Sequence, residues 1–154
     1  MFFWSWFMAV SSDFQNRIID LVSESNIKKS VLPQEIGIDY RSFSNAYNYG
    51  IIPKPRILVR IADYFNVSLK YLLGKTNDDY FLKSSVPSDF KTRFVDLCRK
   101  CNISHYTVSK ECHFDRSYIT KWLNYGLFPS LELLELLSDY FNVSLDFLVG
   151  RSDD

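Results

Sequence analysis

Cys98, Cys101, His105, Cys112 and His113 fall within one short stretch and carry the side chains that hold zinc. A second group carries a different chemistry. Tyr40, Arg41, Ser44 and Asn45, and later Arg116, Ser117, Thr120 and Lys121, follow one another at the spacing of one exposed helical face. Arg and Lys pair with guanine, Asn with adenine and Ser or Thr with either, so both sets could read base edges. Lys28, Lys29, Lys54 and Arg56 flank the first set, and Asn124 and Tyr125 close the second. These six are the expected phosphate contacts, the four cations the stronger ones. With two histidines in the chain, no Ser/His/Asp constellation and no glycine-rich phosphate loop, no catalytic residue is set up and no enzyme is expected.

An internal repeat supplies the elements that must position these residues. Residues 60 to 74 read RIADYFNVSLKYLLG and residues 136 to 150 read LLSDYFNVSLDFLVG. Held without a gap from Ser12–Asp78 to Ser88–Asp154, the 76-residue offset gives 25 identities in 67 positions. The chain reads as two copies of a unit of about 65 residues, near the lower size at which a domain folds alone. The repeat also tests the zinc reading. Cys98 aligns with Val22 and Cys112 with Ile36, both apolar positions, and Cys101 aligns with Ser25. Buried thiols acting as small hydrophobes are therefore expected, with no metal and no cofactor.

Each copy reads as five short helices, an all-α fold. Phe14, Ile18, Leu21 and Val22, matched by Phe90, Phe94, Leu97 and Cys98, make one buried stripe on the first helix. Ser12 with Gln15 reads as its capping box in the first copy. A fourth helix runs from Pro55 to Phe65, or Leu131 to Phe141, and Ser68 or Ser144 caps a short fifth. Pro33 makes the second helix of the first copy start late or kink. Asp39 caps a third helix from Tyr40 to about Tyr47 with Phe43 and Ala46 inward; Asp115 caps one from Arg116 to about Asn124 with Ile119 and Trp122 inward. Two short helices crossed over a tight turn, the second with this polar face, suit a major groove.

The order of the five helices, the "YG…P" that follows the third and the run LLSDYFNVSLDFLVGRSDD resemble the lambda-repressor-like (Xre/Cro-type) helix-turn-helix DNA-binding family. The resemblance covers residues 12 to 78 and 88 to 154. It implies two tandem five-helix lambda-repressor-like domains, and a double-stranded DNA-binding regulator of transcription, a repressor, that places the third helix of one or both copies in the major groove. It also implies that the start of the second helix and the loop after the third hold phosphates. This chain departs from the family in several places. Lys29 and His105 stand where Gln is usual, Pro33 and Ser109 where Ala is usual, His113 where the turn usually has Gly, and Asp39 and Asp115 where Ser or Thr usually caps.

The domains expected are residues 11–74 and 88–154, joined by a linker, 75–87, that Tyr80, Phe81 and Leu82 tether to a surface. Stretched out, thirteen residues reach roughly 43 Å. Residues 1–10, MFFWSWFMAV, form an apolar extension too short to span a bilayer and without the basic start of a secretory signal; Met8 is the alternative initiator. No membrane partner is expected, and three cysteines without a disulfide framework suit the cytoplasm. The whole chain balances 18 basic against 18 acidic residues, but residues 12–78 carry net +2 and residues 88–154 net −2. If one copy alone binds DNA, the charge favours the first. The alternative is a protein-interaction module on the same scaffold, antitoxin or anti-repressor-like, with a protein partner or a weak homodimer; its neutral charge and many tyrosines favour it.

Overall fold

The computed structural model describes residues 9–154. All the regular elements of those residues are helices, in two compact units that divide after Phe81. Met1–Met8, the larger part of the apolar extension, lie outside the described residues.

The first unit holds α1 (Ser12–Ser25), α2 (Leu32–Ile36), α3 (Tyr40–Tyr49), α4 (Pro55–Phe65) and α5 (Leu69–Leu72). Its core is Phe14, Ile18, Leu32, Phe43, Ala46, Leu58, Ile61 and Leu72, drawn from all five helices, so none of them is stable without the others. Pro33 sits in the first turn of α2, where its missing N–H costs nothing, and the helix starts late as expected. Asp39 and Ser68 cap α3 and α5 through the amides of Ser42 and Tyr71. Ser11, rather than Ser12, caps α1 by accepting from the Phe14 amide at 3.1 Å. The choice between adjacent serines is made far away. The Ser11 amide donates to the Gly50 carbonyl at 2.9 Å, and the Ile52 amide donates to Ala9 at 2.9 Å, which makes an isolated antiparallel bridge between Val10 and Ile51. A Cβ on Gly50 would meet the Ser11 carbonyl oxygen at 2.5 Å, and φ is +67° there, so only glycine serves. Residues 9 and 10 thus belong to the first unit.

The second unit holds α6 (Phe90–Lys100), α7 (His105–Glu111), α8 (Ser117–Asn124), α9 (Leu131–Phe141) and α10 (Leu145–Leu148). Its core is more aromatic. Trp122 is packed by Phe90, Phe94 and Phe114 at centroid distances of 5.5, 5.9 and 5.5 Å. Where the first unit has Phe43 and Ala46, this one has Ile119 and Trp122, so the bulk moves one turn along the helix. Cys98 and Cys112 are buried as small apolar groups and Cys101 is exposed. Burial, and then the neighbouring Cys101, pushes the Cys98 thiol up to about 11.

An arginine latch recurs in both units. Arg17 on α1 stacks over Tyr71 at 3.7 Å and donates to the Thr76 carbonyl and the Asn77 side chain. Arg93 on α6 stacks over Phe147 at 4.2 Å, donates to the Ser152 carbonyl and pairs with Asp153. Each holds the chain that leaves the last helix against the first. This shortens the linker. Asn77 is held by Arg17, and Ser84 by the Arg151 carbonyl and Asp153, while between them Tyr80 and Leu82 are exposed and Phe81 is half-buried. The span from Asn77 to Ser84 reaches about 24 Å, well short of the reach of thirteen extended residues.

Candidate nucleic-acid interface

In the second unit, α8 is a two-faced helix. Ile119 and Trp122 are buried beneath it, and Ser117, Thr120, Lys121 and Asn124 are exposed on the other side. The helix begins at Ser117, one residue later than expected. The Asp115 carboxylate caps from two residues away, accepting from the Ser117 amide at 2.7 Å, and this leaves Arg116 exposed in the turn just before the helix. Arg116, Thr120 and Asn124 line one groove of ≈ 320 Å³ with His105 and Tyr106 from the start of α7. Lys121 lies 5.2 Å from the Tyr118 ring, and Tyr125 projects beyond the helix end, 74% exposed. His113 takes φ +59° in the turn before α8, the position where Gly37 has φ +80° in the first unit, so the turn keeps its shape without glycine.

In the first unit the corresponding face is more closed. α3 runs to Tyr49, two residues past the expected end, and Gly50 terminates it. Tyr40 and Arg41 are exposed, but Ser44 and Asn45 are half-buried, and the Ser44 hydroxyl accepts from Asn48 at 3.0 Å. Asn45 is a correction: it does not stand clear on the outer face. Lys29 sits 4.3 Å from the Tyr47 ring, and a small groove of ≈ 80 Å³ brings Lys29 beside Tyr40 and Ser44. Lys28, which lies in the loop four residues before α2 rather than at its start, and Lys54 and Arg56, at the start of α4, are exposed and are not part of that groove. Lys54 is the residue before α4 and gives that helix no side-chain cap.

Two positioning contacts had no signal in the helical periodicity. Arg60 on α4 donates to the Gly37 carbonyl at 2.6 Å and so holds the turn between α2 and α3, with a cation at the carbonyl end of α2. In the second unit Tyr140 on α9 donates to Glu111 at the end of α7. That hydrogen bond raises the Tyr140 hydroxyl to about 12. The repeat offers one hint, since position 60 is Arg in one copy and 136 is Leu in the other, and only the copy with Arg has a cation to spend on the turn.

The capping aspartates bring negative charge to both faces. The Ser42 amide holds Asp39, and the Ser117 amide holds Asp115, below the ordinary carboxylate value of 3.8; the Thr92 amide does the same for Asp89 at the start of α6. A carboxyl with a lowered folded value stabilises fully above the unfolded value and loses that contribution as pH falls through the folded one. The melting temperature should therefore drop as pH falls below about 4. In a triple variant with Asn at 39, 89 and 115 that acid-side slope should be shallower, since Asn caps without titrating. An unchanged slope in a thermal melt series would remove these caps from the acid sensitivity.

Among the described residues no helix is long and apolar enough to cross a membrane, and no three of His, Cys, Asp and Glu are grouped as metal ligands. No curated protein and no solved structure matches the chain. Residues 96–148, from the middle of α6 to the end of α10, match the Helix-turn-helix family model, and α7, the turn and α8 lie inside that match.

Proposed function

We propose that the chain is a sequence-specific duplex DNA-binding regulator of transcription, a repressor built from two tandem five-helix domains. In this reading α8 is the principal base reader. The observation that carries it is the outer side of α8 and of the turn before it, where Arg116, Ser117, Thr120 and Lys121 are all exposed over an aromatic base. These are donors matched to guanine and hydroxyls tolerant of any base, on a helix whose inner face is packed through Trp122. The family match to the same unit supports the assignment. The first unit acts mainly as an electrostatic anchor: Lys28, Lys29, Lys54 and Arg56 contact phosphates, and Arg41 and Tyr40 reach bases. Ser44 and Asn45 contribute less, being already engaged or half-covered. This reverses the preference that charge alone suggests, and divides the work between the units.

Selection from random duplex DNA with the full chain tests the proposal. An enriched motif is expected, and Arg116→Ala should relax one base position at a cost of about 1–3 kcal/mol. A uniform loss over all sequences would make Arg116 a phosphate contact. No enrichment by folded protein at low salt would reject the reading.

A second reading has a specific observation in its favour. Tyr40, Tyr49 and Tyr125, exposed by 67, 64 and 74%, stand at the ends of the two reading helices, and exposed tyrosine is what protein interfaces favour. Binding of that kind would survive added salt, whereas phosphate contacts would not.

A further inference from the structure

The 76-residue offset carries the lining of the ≈ 320 Å³ groove in the second unit onto that of the ≈ 80 Å³ groove in the first, position for position. Arg116 falls on Tyr40, Tyr106 on Ser30, His105 on Lys29 and Leu123 on Tyr47. The first groove is the smaller because the Phe43 and Tyr47 rings stand where the second has Ile119 and Leu123. Each groove sets a cation against an aromatic ring, but the two are exchanged between its walls. In the second unit the ring is Tyr106 on α7, and the Arg116 guanidinium in the turn before α8 lies 5.8 Å from its centre. In the first unit the cation is Lys29, in the loop before α2, and the rings of Tyr40 and Tyr47 are on α3. The exchange alters what stands at the start of each reading helix: a fork of N–H donors in one copy, a ring 67% exposed in the other. Arg41 likewise corresponds to Ser117, Ser44 to Thr120 and Asn45 to Lys121, so no base-reading position carries the same residue twice.

Arginine pairs bidentately with guanine, whereas an apolar ring packs on the 5-methyl group of thymine. A homodimer shows one face twice and reads a palindrome, because the symmetry of the site mirrors that of the protein. This chain shows two different faces. We infer that its target duplex is asymmetric, with two unlike half-sites: guanine where Arg116 reads and thymine where Tyr40 reads. The inference rests on the proposed base readout and names the target of that readout. A chain with two unlike faces settles on such a site in one orientation, and so distinguishes the two directions along the duplex.

The test uses the full chain. Selection from random duplex DNA supplies the motif, and fluorescence anisotropy then measures single-base variants of it. Two unlike halves are expected. Arg116→Ala should relax a guanine in one half, where the parent prefers guanine by roughly 5- to 150-fold. Tyr40→Ala should relax a thymine in the other. Deoxyuridine in place of that thymine removes the methyl alone; it should weaken the parent about fourfold and leave Tyr40→Ala unaffected. The double variant Ser30→Tyr, Tyr40→Arg, at two exposed positions, carries the second unit's pair into the first and should exchange thymine for guanine there. If that variant loses helical circular dichroism, the deoxyuridine comparison decides. Two identical halves, inverted or direct, overturn the inference and leave the DNA reading standing, and so does a single half-site. A thymine that deoxyuridine replaces without loss also overturns it. No motif from folded protein at low salt removes the DNA reading itself, and the inference with it.

Discussion

Trp122→Ala should leave the second unit largely unfolded at room temperature. The indole is 3% exposed and has ring neighbours in Phe90, Phe94, Phe114 and Tyr118, so its loss opens a cavity that four rigid rings cannot close by small shifts. Truncating a buried Trp or Phe costs about 3–5 kcal/mol. A unit of this size has a stability of about the same order, so one substitution can consume most of it. Trp122→Phe keeps most of the volume and should cost clearly less. Urea unfolding followed by amide NMR signals of α6, α8 and α9 reads the effect directly. A loss below about 1 kcal/mol would mean that the aromatic cluster is not the keystone of this unit. DNA recognition should fall with it in the Ala variant, because Arg116, Thr120 and Lys121 are aimed by a helix whose inner face is Ile119 and Trp122. The first unit has Ala46 at that repeat position and relies on Phe43 one turn earlier, so Phe43→Ala is the substitution that matches it there.

The long, strongly patterned helices were legible in the sequence because their signals are local. The apolar spacing of α4 and α9, the Ser68 and Ser144 caps, and the late start of α2 at Pro33 all depend on neighbours within a turn or two. What escaped depends on distant partners. Ser12 with Gln15 matches the capping-box pattern, yet Ser11 caps because its own amide is fixed by Gly50. The latches of Arg17 and Arg93 join residues 59 positions apart, and the Arg60–Gly37 contact spans 23. The candidate site was legible as a list of residue types but less so as a surface. Helical spacing puts Asn45 outside, whereas in the structure it is half-buried. Arg116 was assigned to the helix itself, and the Asp115 cap moves it into the turn, where it joins the groove with Tyr106.

Replacing Lys28, Lys29, Lys54 and Arg56 together with alanine should cause the largest loss of DNA affinity. Each phosphate contact adds about 0.9 to the slope of log affinity against log salt, so four contacts add about 3.6. At 0.1 M salt the variant should bind about three to four orders of magnitude more weakly than the parent, and the two should converge toward 1 M. Lys29 must leave the Tyr47 ring to reach a phosphate. The substitutions are at exposed positions and neither α2 nor α4 has a side-chain cap to lose, so helical circular dichroism should not change. Fluorescence anisotropy across a salt series gives both the affinity and the slope. An unchanged slope would take the first unit off the DNA and leave α8 to bind alone. That outcome would be hard to reconcile with the charge distribution. Residues 88–154 carry net −2 and place Asp115 just before α8, so the unit proposed to read bases is the one a duplex would repel. Residues 12–78 carry net +2 and would compensate for that repulsion if both units bound one duplex. Asymmetry of this kind explains why a chain of zero net charge could still depend steeply on salt: the charges that matter are sorted between its two units.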